Sequence, residues 1–71
     1  MIVLMKEHYH TFKDGDRTAE VWKTIKGEWA TRYYDKKGGK ASVWVEDVIH
    51  TGKSEIWAEN AAENWVFGIN S

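Results

Sequence analysis

Four short breaks, each holding glycine, cut this chain into five segments: "KDGD" at 13–16, "KGE" at 26–28, "KKGG" at 36–39 and "TGKS" at 51–54. Breaks this short force neighbouring segments to fold back on one another. Asp14-Gly15 is a turn dipeptide because it tolerates positive φ. The pieces between the breaks, "RTAEVWKTI" (17–25), "WATRYYD" (29–35) and "KASVWVEDVIH" (40–50), are rich in β-branched and aromatic residues and read as strands. Met1 to Phe12 has strand-like content in Ile2, Val3, Leu4, Tyr9 and Phe12. Strands are therefore expected at about 2–12, 17–25, 29–35 and 40–50.

The last segment reads as a helix over about 55–67. Trp57, Ala61 and Trp65 fall four apart, as do Ala58, Ala62 and Val66, and together they make one apolar stripe. Ser54 is the expected N-cap, Glu55 suits the positive N-terminal end, and Gly68 is placed to close the helix in a left-handed cap. Ala61 and Ala62 allow close approach to a flat sheet, with Trp57 and Trp65 gripping either end. Glu59, Asn60, Glu63 and Asn64 fall on the other side. Glu59 and Glu63 are like charges at i, i+4, a cost of roughly 0.2–0.5 kcal/mol. They read as a solvated face rather than a metal pair, because no His stands at helical spacing beside them. The expected fold is α+β: a single domain over 1–71, a three- or four-stranded antiparallel β-meander with one C-terminal α-helix packed on one face.

Size makes such a fold hard to stabilise. A domain of 71 residues buries only about 60% of the surface its unfolded chain exposes. No cysteine is present to staple it or to bind zinc as thiolate, which fits a reducing, cytoplasmic setting. The longest apolar run, Met1 to Met5, is too short to span a membrane, so no membrane association is expected. Residues 1–53 carry ten Lys and Arg against eight acids, or +2, while residues 54–71 carry only Glu55, Glu59 and Glu63, or −3. That balance is far from the footprint of an ordinary duplex-DNA protein.

Hairpin parity decides which sheet face the helix covers. A two-residue turn at Lys26-Gly27 would put Trp22, Trp29, Tyr33 and Trp44 on one face. A three-residue loop, Lys26-Gly27-Glu28, followed by an odd-length loop at 36–39, puts Val21, Ile25, Trp29, Tyr33, Val43, Val45 and Ile49 together. Trp22, Thr24, Arg32, Tyr34, Ser42, Trp44 and Glu46 then share the other face. The second register separates apolar from mixed residues more cleanly and is preferred. In either register aromatic residues remain on the face away from the helix, and a Trp-Tyr cluster on an open face marks a binding surface. The N-terminal segment either adds a fourth strand or swaps onto another copy.

"GEWATRYYDKKGGKASVWVEDV", followed by an alanine-rich helix, resembles the apetala-type plant DNA-binding domains and the related arm-binding domains of phage integrases. The matching residues are Gly27, Trp29, Ala30, Asp35, Gly39, Val43, Trp44 and Val45, then Ala58, Ala61 and Ala62, within roughly residues 18–67. The resemblance implies three antiparallel strands and a packed helix. It implies DNA-facing positions at Trp22, Thr24, Lys26, Arg32, Tyr34, Ser42 and Trp44. Only Lys26, Arg32 and Trp44 have suitable character, and Glu46 and Asp47 stand nearby, so bidentate guanine readout is largely lost. The "AENWV" stretch after a short meander also resembles small uncharacterised proteins of cyanobacterial tailed phages. That likeness implies an accessory factor in the host cytoplasm that binds a host protein.

Other chemistry is thin. His8 and His10 would share a face of the first strand and His50 ends the last, a possible three-His zinc set. Exposed histidines near strand ends are the ordinary explanation, so neither metal nor cofactor is expected. Glu46 and Asp47 face opposite sides of a strand and do not form a carboxylate pair. No nucleophile elbow, P-loop or dinucleotide fingerprint occurs, and the chain is too small to enclose a ligand chamber of some 300 Å³ or more. A non-enzymatic binding protein is expected. Its partner, another protein or a second copy, would meet Trp22, Arg32, Tyr34 and Trp44, in keeping with five tryptophans in so short a chain. The alternative is nucleic acid on the same face, with bases on the aromatics and phosphates on Lys23, Lys26, Lys36, Lys37 and Lys40.

Overall fold

The computed structural model describes residues 4–36 and 43–68. Strands β1 (Met5–Asp14), β2 (Arg17–Thr24), β3 (Trp29–Asp35) and β4 (Val43–His50) precede helix α1 (Glu55–Phe67). All neighbours are antiparallel, and the sheet order is β1-β2-β3-β4. The N-terminal segment thus forms a fourth strand beside β2. Ser42, Lys37, Lys40 and the expected loop at 36–39 lie wholly or partly outside the described residues.

Turn chemistry sets the hairpins. Asp14 pairs with Arg17 across Gly15-Asp16, and Gly15 sits at φ 58°, a two-residue turn with glycine first. The β2–β3 loop also has three residues, but it begins one residue earlier than expected. Lys23 pairs with Trp29, and Thr24 N–H donates to the Glu28 carbonyl at 2.8 Å, leaving Ile25-Lys26-Gly27 as the loop. Gly27 takes the left-handed position at φ 83°. Moving an odd loop by one residue shifts pairing by two, so every β2 and β3 residue keeps its expected face. Ile25 does not; it lies exposed in the turn instead of facing the helix.

Parity fails in β4. Tyr33 pairs with Glu46 but Tyr34 pairs with Trp44, so Val45 is an extra, unopposed residue. Such a bulge reverses the alternation beyond it. Glu46 therefore lies on the helix side with Tyr33, while Asp47 and Ile49 join the open face beside Arg32 and Ala30. The expectation had Glu46 and Ile49 the other way round.

Ser54 caps α1, its Oγ accepting from Trp57 N–H at 3.4 Å, and Gly68 closes it at φ 68°, its N–H donating to the Asn64 carbonyl. Ala58, Ala62 and Val66 are buried against Ala19, Val21 and Tyr33, flanked by Phe12, Trp29, Val48 and Trp65. The core is thin, since Val21 and Thr31 are its largest fully buried side chains. Thr31 Oγ1 donates to the Ala58 carbonyl at 3.2 Å and lies 2.8 Å from His50 Nε2. A hydroxyl has one proton, already committed to the carbonyl, so His50 Nε2–H is the donor to Thr31. Arg17 reaches the far end of α1, donating to the Trp65 carbonyl at 2.9 Å with its guanidinium over the Trp65 ring, where a cation suits the helix dipole. Trp57 departs from expectation. It stands one residue before Ala58, about 100° round the helix from the buried seam. It is 52% exposed, with Lys53 Nζ 4.5 Å from its ring centroid. Helix α1 is neither long nor apolar enough to cross a membrane.

Candidate functional site

The open face gathers Trp22, Arg32, Tyr34 and Trp44 from three adjacent strands. Arg32 forms a fork with Asp47, Nε donating to Oδ1 at 2.8 Å and Nη2 to Oδ2 at 3.0 Å. Asp47 Oδ1 also accepts Trp44 Nε1–H at 2.9 Å. Trp22 Nε1 donates to Glu20 at 3.1 Å. The Trp22 ring packs between the His8 ring, 5.1 Å away between centroids, and the Arg32 guanidinium, 5.8 Å from its centroid. The result is a continuous lattice in which both tryptophans are held by charged groups.

The same contacts set the electrostatics. Hydrogen bonding from Arg32 holds the Asp47 carboxyl below its usual range, helped by Trp44 and opposed by burial. Asp47 in turn pushes the Arg32 guanidinium above its ordinary value. Burial, then the Glu20 charge, raises the Tyr34 phenol, so it remains a neutral donor. Trp44 is 56% exposed, and its strand neighbours Val43 and Val45 are exposed with it along the β4 edge. The role of Asp47 could not be read from the sequence, because its pairing with Arg32 depends on the Val45 bulge.

The described lysines do not form one track. Lys23 lies on the helix side, its Nζ 5.1 Å from the Trp29 ring centroid, because strand alternation turns it away from Trp22. Lys26 is in the β2–β3 loop, whereas Lys36 follows the other end of β3. The seven-residue strand between them separates them by about 20 Å. Lys37 and Lys40 lie outside the described residues.

The three histidines also part company. His8 pairs with Trp22 but His10 pairs with Val21, so Tyr9 is a bulged residue. That bulge moves His8 to the open face, 2.6 Å from Thr11 Oγ1. His10, opposite Val21, and Tyr9 lie on the helix side, Tyr9 against Trp29 and His10 near Phe12. His50, expected to be exposed, is buried beneath α1, and burial lowers its pKa. No three-His set forms among the described residues. His10 instead meets two helix acids, Nε2 lying 3.5 Å from Glu55 Oε2 and 3.5 Å from Glu59 Oε1. Glu59, expected on the solvated side, is thus half-buried toward β1, and the His absent from its helical neighbourhood comes from a strand. A concavity of about 450 Å³ beside Trp57, Asn60, Ala61 and Asn64 is half-open, not an enclosed chamber.

No family model, curated protein or solved structure matches the chain. The geometry above defines a class of protein, a small four-stranded α+β domain with an open aromatic face, and functional argument rests on its own residues.

Proposed function

We propose that this chain is a small non-enzymatic binding protein that engages a protein partner, or a second copy of itself, through the open sheet face. The observation that carries the reading is the Trp22–Arg32–Asp47–Trp44 lattice. Its side chains are ordered before any partner arrives, so association loses little rotamer freedom. Half-exposed Trp44 is the expected anchor, with Arg32 and Tyr34 as polar contacts beside it. Exposed Val43 and Val45 flank Trp44 on β4, the last strand in the sheet order among the described residues, which favours a partner able to add main-chain hydrogen bonds at that edge.

Nucleic acid is the weaker reading on the same face. Asp47 already occupies the Arg32 fork, Lys23 points to the other side, and Lys26 and Lys36 lie at opposite ends of β3. We place the protein in the cytoplasm, that of the host if a phage encodes it, on the absence of cysteine and the likeness to cyanophage proteins.

The test is molar mass by size-exclusion chromatography with light scattering, at two concentrations and two salt levels, on the wild type and Trp44→Ala. A dimer that persists in high salt and is lost in the variant supports self-association. A monomer that binds single-stranded or duplex DNA, with a salt slope reduced by mutating Lys36 and Lys37, would overturn the protein-partner reading.

A further inference from the structure

We infer that His10, Glu55 and Glu59 form a binding site for one divalent transition-metal ion of the zinc type, clipping β1 to the start of α1. The site lies on the helix side of the sheet and is independent of the open-face reading. Its donors come from two elements, with Glu55 and Glu59 standing 45 and 49 residues after His10. Glu55 and Glu59 share a helix flank because they stand at i, i+4. His10 faces that flank because the register set by the Asp14–Arg17 turn places it opposite Val21 on the helix side.

Distances argue for a shared ion rather than a pair of hydrogen bonds. His10 Nε2 is equidistant from Glu55 Oε2 and Glu59 Oε1, at 3.5 Å. A charge-assisted N–H···O bond closes to about 2.7–2.9 Å, so the imidazole satisfies neither carboxylate. Two donors on one tetrahedral zinc, each about 2.1 Å from the metal, are separated by roughly 3.4 Å. The three donor atoms lie within 4.8 Å of one another, so rotamer adjustment of one glutamate closes the set.

Chemistry narrows the ion. One imidazole nitrogen with two carboxylates suits zinc, cobalt or nickel. Magnesium and calcium prefer all-oxygen shells with more ligands. The side chains are 46% (His10), 38% (Glu55) and 28% (Glu59) exposed, which lets an ion enter and leaves its fourth position to water. An ion held here would neutralise the Glu55–Glu59 repulsion. It would also fasten an edge strand over a core whose largest fully buried residues are Val21 and Thr31, in a chain without disulfides.

The experiment uses the full, tag-free chain, stripped with a chelator and then titrated with zinc chloride by calorimetry. Thermal unfolding and cobalt absorption are followed in parallel. One equivalent should bind, and saturating zinc should raise the melting temperature by roughly 5–10 °C. Cobalt should give the strong visible bands of a four-coordinate site, and magnesium should not compete. His10→Ala and Glu59→Gln should each weaken zinc binding by about tenfold or more and abolish the thermal shift, while His8→Ala on the opposite face should bind as wild type does. If His10→Ala fails to fold, Glu59→Gln decides, together with loss of the His10 ring signals on zinc addition to wild-type protein. The inference is overturned if millimolar zinc produces neither heat nor thermal shift, or if His8→Ala weakens binding as much as His10→Ala does.

Discussion

The two faces of this sheet solve the same problem in different ways. On the covered face, α1 approaches through Ala58 and Ala62, both fully buried, over Ala19, Val21 and the Thr31 hydroxyl, with Tyr33, Phe12, Trp29 and Trp65 packed around that contact. On the open face no element among the described residues arrives, and the rings stay partly in water. They are held by charge instead, Trp44 by Asp47, Trp22 by Glu20, and the Arg32 guanidinium over Trp22. A face closed by its own chain can be apolar and close-fitting. A face left open must keep its aromatics ordered by polar ties that survive contact with water, and ordering of that kind suits a surface kept for a partner.

The sharpest break in this comparison is Ala62→Leu. The helix sits where it does because alanine leaves no bulk between it and β2. Overpacking such a contact costs about 1–3 kcal/mol, which in a domain this small lowers the melting temperature by roughly 4–8 °C per kcal/mol. Urea denaturation should show a lower midpoint with an unchanged slope. A stability loss below about 0.5 kcal/mol would mean that the covered face is loosely packed and the contrast drawn above is false.

Asp47→Ala tests the open face. It removes both arms of the Arg32 fork and the acceptor for Trp44, leaving a half-buried guanidinium unpaired. The expected cost is about 1–2 kcal/mol. Acid should act in the same direction. The folded pKa of Asp47 is depressed, so its contribution is present above its unfolded value of about 3.9 and is withdrawn as pH falls through the lower folded value. Midpoints measured between pH 5 and pH 2 should fall more steeply for wild type than for Asp47→Ala. Parallel curves would show that the fork contributes nothing to folding.

His50 gives a smaller pH effect on the covered face. Burial lowers its folded pKa below the ordinary value of about 6.5, so the unfolded chain binds its proton first. Stability is then complete above about pH 6.5 and declines as pH falls toward the folded pKa, by at most about 1.4 kcal/mol per pH unit. Wild type should be less stable at pH 5.5 than at pH 7.5. His50→Gln, which retains a donor for Thr31, should lose most of that difference. An equal pH dependence in both would place the titration elsewhere.

What could be read from the sequence was local. Ser54 and Gly68 cap α1 through groups within a few residues of the helix ends, and the faces of β2 and β3 follow from one odd-length loop. Bulges are different. Whether Val45 or Tyr9 leaves the ladder is decided by what lies across the sheet, and neither residue carries a glycine-like signal. Every misplacement on β1 and β4 traces to those two positions: Glu46 and Ile49 exchanged between faces, His8 and His10 separated. Trp22, Arg32, Tyr34 and Trp44 share a face as expected because the first three lie on β2 and β3 and Trp44 stands just on the far side of the Val45 bulge. Asp47, which ties Arg32 to Trp44, was hidden by the same bulge.

The smallest expected effect on folding is also the one that bears most directly on the comparison. Trp44→Ala removes a large ring, but one 56% exposed, at a strand edge, and tied to Asp47 by a single hydrogen bond. Asp47 keeps both contacts to Arg32 without it. Surface substitutions of this kind usually change stability by no more than about 0.5 kcal/mol, so the dilute monomer should unfold almost as wild type does, while an anchor truncated at an interface costs about 2 kcal/mol or more in association. A large loss of monomer stability would make Trp44 part of the core, and the open face would be only a second, poorly covered interior. A small loss of stability with a large loss of association separates the two faces by purpose, one closed to hold the fold and one kept for contact.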